Sequence, residues 1–334
     1  MDFESNISRR SFIALGLSTL SVMVLGGCGK ADGAKPAAEK YTRLTIISDL
    51  HVPSPRDEEK RKVLRDINGW DDVTKVVALG DMVYRRGIEE EMKASAQLLS
   101  ILKKPRVVVA GNHDFLYEDY YSEGEKLVRA KPEKRAAKLK SFTEHFKIEK
   151  LYHSEDLSGY HLVYLSLNDV NGKSSVGLDE AEQSWLVKDL SENRSKPTII
   201  FCHAPLDGTA GSINKKKWFN QVVQPSEKIM NILLANPQVK LWVAGHLHRG
   251  AYYPACTDEK QYTNTQTGIK GVNNPSLKGE GKWQPPKEGE KASRKYPTLW
   301  TNSLYLYPDR VVVKTYDHGK GQELKELEKT IVIK

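Results

Sequence analysis

Leu44-Thr45-Ile46-Ile47-Ser48-Asp49-Leu50-His51 is a short apolar run rich in β-branched residues that passes at once into a loop carrying Asp and His. Outward from it the same unit recurs: an apolar run, a loop with Asp, His or Asn, then an amphipathic stretch. The runs are Leu44 to Ser48, Val76 to Leu79, Val107 to Ala110, Leu162 to Leu167, Thr198 to Cys202 and Leu241 to Ala244. The amphipathic stretches predict helices near 57–68, 88–103, 132–145, 179–190 and 225–235. Alternation of this kind predicts an α/β fold. Residues 298–316 read as a β-hairpin turning at Pro308-Asp309, and Thr330 to Ile333 as a last strand. Residues 251–295, with few apolar positions, read as a long surface loop.

Composition excludes several classes. The 334 residues are 39% hydrophobic and 28% charged, with 24 Gly and 15 Pro, which is neither collagenous nor low-complexity. Three cysteines, Cys28, Cys202 and Cys256, cannot build a disulfide framework. Cys202 reads as a small buried residue and Cys256 as a loop thiol of no evident role. The formal charge of +8 suits an anionic substrate or a membrane surface, but the charges are interspersed, as on an ordinary solvated surface. No basic stripe with interleaved aromatics suggests nucleic acid, and no protein partner is expected.

The first residues read as an export signal. Arg9-Arg10 precede an apolar run from Phe12 to Leu25 that ends in Leu25-Gly26-Gly27-Cys28. The run is shorter than the roughly twenty residues needed to span a bilayer. Ser8-Arg9-Arg10-Ser11-Phe12-Ile13 resembles a bacterial twin-arginine signal, and Leu-Gly-Gly-Cys resembles a lipobox. The expectation is a signal over 1–27, lipidation at Cys28, a tether over 28–40, a domain over 41–334, and a mature chain anchored to the membrane facing periplasm or cell exterior.

Each strand is followed by candidate metal ligands: Asp49-Leu50-His51, Gly80-Asp81, Gly111-Asn112-His113-Asp114, His203, and Gly245-His246-Leu247-His248. In open α/β sheets the loops after strand ends converge on one crevice. Carboxylates, imidazoles and one amide suit Zn, Mn or Fe better than all-oxygen Ca or Mg sites. Seven ligands oversupply one ion and hold two, and two ions roughly 3.5 to 4 Å apart clamp both oxygens of a displacement at phosphorus. His246 and His248 are expected to point the same way, as alternate residues of extended chain do.

This ordered set, Asp-x-His, Gly-Asp, Gly-Asn-His-Asp, His, Gly-His-x-His, resembles the calcineurin-like metallophosphoesterase superfamily across residues 49–248. The resemblance implies a β-sandwich of two mixed sheets flanked by helices in four layers, α/β/β/α. It implies that Asp49, His51 and His248 hold one metal, that Asn112, His203 and His246 hold the other, and that Asp81 bridges both. Water bridging the metals would attack phosphorus, and His113 would contact the phosphoryl oxygen or protonate the leaving alkoxide. Asp114 would orient a metal ligand or cap the segment after it.

Departures from the family pattern centre on Tyr84. Protein serine/threonine phosphatases carry Asp at that place, and purple acid phosphatases carry a Tyr that binds ferric iron but lack the His of Asp-x-His. His51 and Tyr84 would compete for one position; His51 is favoured, leaving Tyr84 beside the ligands or in packing. Arg85 or Arg86 could grip phosphate through its planar fork, or belong to a solvated turn. The expected activity is a phosphodiesterase, because the motifs resemble small bacterial phosphodiesterases. A phosphomonoesterase or a nuclease is the alternative within the class. A non-catalytic envelope lipoprotein is the alternative outside it.

Overall fold

The computed structural model describes residues 39–211, 218–249, 252–278, 280–281, 296–297 and 299–333. The expected signal, Cys28 and most of the tether lie outside the described residues.

Three parallel strands, β1 (Thr42–Ile47), β2 (Val73–Ala78) and β3 (Arg106–Val108), form one half of the first sheet. A separate hairpin follows, β4 (Tyr117–Ser122) and β5 (Lys126–Arg129). The second sheet then runs from β6 (His153–Leu157) through β7 (Tyr160–Leu165), β8 (Thr198–Cys202) and β9 (Val239–Ala244) to β10 (Lys270–Asn273). In it β7 to β10 are parallel and β6 is antiparallel. After a two-residue pair, β11 (Glu280–Gly281) and β12 (Tyr296–Pro297), the chain returns to the first sheet. There β13 (Trp300–Leu306), β14 (Arg310–Asp317), β15 (Gln322–Glu323) and β16 (Lys329–Val332) pair antiparallel, with β13 beside β1.

Period-two alternation builds the layers, because successive side chains in a strand point to opposite faces. Leu44, Ile46, Val77 and Leu79 of the first sheet share one apolar cluster with Leu162, Tyr164, Ile199, Phe201, Leu241 and Val243 of the second. The residues between them, among them Ile47, Val76, Val163, Ile200 and Trp242, turn outward into a second cluster with the helices. α1 (Asp57–Asn68) and α2 (Glu89–Leu99) follow first-sheet strands, α3 (Pro132–Phe146) follows the β4–β5 hairpin, and α4 (Glu180–Glu192) and α5 (Ser226–Leu234) follow second-sheet strands. α1 is charged over most of its length and docks through fully buried Val63, Leu64 and Ile67. Each contributes about 1.5 to 3 kcal/mol of burial, enough to order a helix that would not persist alone. The sheets flanked by helices are those of the metallophosphoesterase fold. No helix among the described residues is long and apolar enough to cross a membrane.

Residues 251–295 differ from the surface loop expected. They contain α6 (Pro254–Thr257), α7 (Glu259–Tyr262) and β10, which adds a parallel edge strand beside β9. Gly271 lets the loop after β8 pack on this strand: a Cβ there would meet the Cβ of Thr209 at 2.5 Å. Cys256, taken for a loop thiol, is buried against this segment and donates to the Asn273 carbonyl. Beyond β10, Asn274 N–H donates to Ala244 O (2.6 Å) and Leu277 N–H to Ser48 O (2.9 Å), so the segment braces the loops that leave β9 and β1.

Candidate metal centre

The carboxyl ends of β1, β2, β8 and β9 and the loop after β3 meet at one place. Asp49 N–H donates to Gly80 O, His51 N–H to Asp81 O and Gly245 N–H to His203 O, at 2.9 to 3.1 Å. Two donor groups result: Asp49, His51, Asp81 and His248, and Asp81, His203 and His246, each with ligand atoms within 4.8 Å of one another. Asp81 belongs to both. Its Oδ2 lies 3.3 Å from His203 Nε2 and 3.6 Å from His51 Nε2, while its Oδ1 accepts the His113 N–H at 2.9 Å.

Hydrogen bonds to carbonyls fix which imidazole nitrogens carry lone pairs, since a carbonyl can only accept. His51 donates from Nδ1 to Tyr84 O (2.8 Å) and His203 from Nδ1 to Leu79 O (2.6 Å), which turns Nε2 toward the centre in both. His246 donates from Nε2 to Asn220 O (2.9 Å), so its Nδ1 is free and stands 3.3 Å from His203 Nε2. His51 Nε2 and His248 Nε2 are 3.0 Å apart, and His248 Nε2 is 3.1 Å from Asp49 Oδ1. Asn112, 3% exposed, has a buried Oδ1 with no hydrogen-bond partner. An orphaned amide oxygen and facing imidazole nitrogens are what a cation would satisfy, so this donor set fits two metal ions.

The ligand loops pay in backbone strain. Among the described residues, eight non-glycine positions have positive φ, and five are Asp49, His51, Asp81, His246 and His248. The extended geometry expected for His246-Leu247-His248 is therefore wrong: both histidines are left-handed turn residues, and they serve different donor groups.

The sequence profile of the calcineurin-like phosphoesterase family matches residues 42–250. The chain belongs to this family. It is thus a metal-dependent phosphoester hydrolase by descent. No curated protein sequence matches the chain. Among solved structures it is similar to a dimetal phosphatase from Danio rerio (15% identity, TM-score 0.56, covering 87% of this chain and 99% of that one). It is also similar to purple acid phosphatase PPD1 from yellow lupin seeds (15%, 0.55, 89% of this chain), of which it spans 55%. A third is GAP50, the anchor in the inner membrane complex of Plasmodium (11%, 0.52, 88% and 89%). These likenesses are of fold.

The electrostatics of this phosphoesterase site favour cations. Burial opposes charge on Asp81, but the imidazoles of His203, His113 and His51 outweigh it and hold the carboxyl well below its usual range. Burial likewise opposes charge on Asp49, and His248 overcomes it. Burial drives His51 well below its ordinary value, and burial with the charge of His203 takes His246 to about 4, so both offer neutral nitrogens. Burial works against a proton on His203, yet the facing Asp81 raises it to about 9.

A further set of contacts holds the ligand loops. Asp114, fully buried, accepts four backbone N–H groups: Met82 and Val83 on Oδ1 (2.9 and 3.1 Å), Asp81 and Gly111 on Oδ2 (2.9 and 2.7 Å). These bonds grip the loops that carry Asp81 and Asn112. Burial and the charge of Asp81 push its carboxyl up to about 7, against the pull of those N–H groups. His113 donates from Nδ1 to Arg85 O (2.8 Å), and its ring lies 5.0 Å from that of His51 and 5.2 Å from that of Tyr117. Tyr84 thus meets His51 through its carbonyl, and Arg85 meets His113 in the same way.

Arg86, offered as a phosphate grip, is engaged elsewhere: its guanidinium donates to Asp119 O and lies 4.5 Å from the Tyr121 ring centroid. That of Arg85 lies 5.3 Å from the Tyr84 ring centroid. Sequence reasoning missed Ser48, which donates to Asp49 Oδ2, and Lys60, a buried lysine whose Nζ donates to His51 O (3.2 Å). It also missed Tyr117 and Glu91. The one signal available for Lys60 was its place on the apolar stripe of α1, one turn ahead of Val63 and Leu64.

Proposed function

We propose that the chain is a dinuclear phosphodiesterase. The observation that carries this reading is the pair of donor groups sharing Asp81 at the strand ends. Asp49, His51 and His248 would hold one ion, Asn112, His203 and His246 the other, and Asp81 both. When bound, two such ions supply positive charge that polarises the phosphoryl group and makes water a stronger nucleophile; Fe, Mn and Zn all suit the donors. The protein's part is orientation. Carbonyls of Tyr84, Leu79 and Asn220 aim the imidazoles, and Arg85 O leaves His113 Nε2 as the nitrogen that meets a phosphoryl oxygen or the leaving alkoxide. The preference for a diester is supported by the Asp-x-His and Gly-Asn-His-Asp motifs, with His51 taking the position for which Tyr84 competes. The fold alone would not carry a catalytic reading, since GAP50 is named as an anchor; the intact donor set does.

The test is hydrolysis of bis(p-nitrophenyl) phosphate and p-nitrophenyl phosphate by protein loaded with Mn, Fe or Zn, with Asp81→Asn as control. Metal-dependent turnover that prefers the diester and is lost in the variant is expected. Preference for the monoester would make the protein a phosphomonoesterase, and a folded protein that takes up no metal would favour the non-catalytic alternative. We further propose that the mature chain is exported and anchored through lipid on Cys28; palmitate labelling that persists in Cys28→Ser would refute this.

A further inference from the structure

We propose that Glu91 is a positioning residue that holds the imidazoles of His51 and His113 in register by gripping the backbone between them. Glu91 lies in the first turn of α2, is 4% exposed, and directs Oε2 to three consecutive backbone N–H groups: Arg85 (3.2 Å), Arg86 (2.8 Å) and Gly87 (2.9 Å). A glutamate at the third helical position ordinarily reaches back to the N–H of its own cap residue. Here the cap is Ile88, and the carboxylate passes it to take the three residues before it.

What that grip controls is the pair of carbonyls at the start of the loop. Tyr84 O accepts from His51 Nδ1 and Arg85 O from His113 Nδ1, both at 2.8 Å. Each bond places the proton on Nδ1 and leaves Nε2 toward the centre. The loop is closed from the other side as well. Lys138 Nζ donates to Arg86 O (2.6 Å), and Gly87, at φ +64°, is pressed so closely on Asp114 that a Cβ would stand 2.3 Å from its carbonyl oxygen. Asp114 holds the N–H groups of residues 81–83 and Glu91 those of 85–87, so two buried carboxylates share the loop that carries Asp81 and both carbonyls. Contacts that orient ligands in this way typically change metal affinity or activity about 10- to 100-fold when removed.

The inference rests on the dinuclear reading for its effect on metal, but its test has a readout that does not. In full-length, metal-free protein the Nδ1–H protons of His51 and His113, bonded to carbonyls at 2.8 Å, are expected to give slowly exchanging downfield NMR signals. Glu91→Ala is expected to lose both signals and to weaken Mn binding at least ten-fold. Glu91→Gln keeps an acceptor oxygen at the same reach, and is expected to restore both signals and to bring Mn affinity within three-fold of wild type. Glu91→Asp, whose carboxylate is one methylene short, is expected to behave like Ala and serves if the Ala variant does not fold. Both signals persisting in the Ala or Asp variant, or equal losses in Gln and Ala, would overturn the proposal. If the wild type binds Mn but hydrolyses no phosphate ester, the activity reading fails while the imidazole signals still decide the role of Glu91.

Discussion

Replacing Asp114 by Asn removes one oxygen and a charge from a side chain that accepts four backbone N–H groups, and the geometry sets what that costs. In wild type each carboxylate oxygen takes two donors at 2.7 to 3.1 Å. The Asn amide has one oxygen, so in either orientation its NH2 faces two N–H groups it cannot accept. The side chain is fully buried, and water cannot replace the lost acceptor. Each unmet buried donor costs about 1 to 3 kcal/mol, giving about 2 to 6 kcal/mol for the pair, of which relief of the charge that burial and Asp81 oppose returns a part. In a chain of this size about 4 kcal/mol lowers Tm by roughly 6 °C. The assay is thermal unfolding followed by circular dichroism in EDTA at pH 8, above the value of about 7 to which burial and Asp81 raise this carboxyl. A Tm within 2 °C of wild type would show that the four bonds do not hold the loops.

Other outcomes follow from the same geometry. Gly245→Ala would put a Cβ 1.9 Å from Ser48 Oγ and 2.6 Å from Asp49 Oδ2, so turnover of bis(p-nitrophenyl) phosphate should fall more than 100-fold; near-wild-type kcat would refute the placement of Asp49. Asp81 raises His203 from 6.5 to about 9 in the metal-free fold, so its contribution to stability is fully present below pH 6.5 and is lost as pH rises to about 9. The Tm of His203→Gln in EDTA should lack that decline. Mn uptake at pH 7.5 should displace the His203 proton, which calorimetry in buffers of different ionisation enthalpy will count. Trp242→Phe removes the indole donor to Ala204 O (2.9 Å) from a fully buried position, and should lower stability by about 2 to 4 kcal/mol in chemical denaturation.

The parts of the fold that were legible in sequence are those where apolar runs are buried on both faces. Leu44 to Ser48 and Thr198 to Cys202 read as strands because the sandwich interior takes one alternate set and the helices take the other. The parts that were not legible are polar. β6 is His-Ser-Glu-Asp-Leu, an edge strand whose polar side chains pair with Lys75, Lys196 and Asp189 instead of apolar neighbours. The β4–β5 hairpin turns through Gly124 and Glu125, both at positive φ, a turn that Glu-Gly-Glu does not announce. β10 has one strongly apolar residue, Val272, and a glycine whose fit depends on Thr209, far away in sequence. At the site the clustered donors were legible because Asp and His at strand ends carry chemistry by type. Glu91 was not, because in Glu89-Glu90-Glu91 nothing local separates a buried carboxylate from two that face solvent.

The strain at the ligands explains why the site needs such carboxylates. A residue outside glycine costs about 1 to 2 kcal/mol in the left-handed region, and five of the candidate donors stand there. Their sum, about 5 to 10 kcal/mol, is of the order of the whole stability of a domain. Metal ions could offset it only in the loaded protein, and the chain must fold before it can present Asp81 to two ions. The offset therefore has to come from bonds that exist without metal: four N–H groups on Asp114, three on Glu91, and the carbonyls of Leu79, Tyr84, Arg85 and Asn220 on the imidazoles. These groups are not ligands, yet they set where the ligands stand. The strained loops and their clamps are continuous with the core beneath, since Leu50, Met82, Val83, Phe115 and Ala204 belong to the same apolar cluster as the sheets and helices, so loss of a clamp should displace donors several residues away and lower the stability of the whole fold.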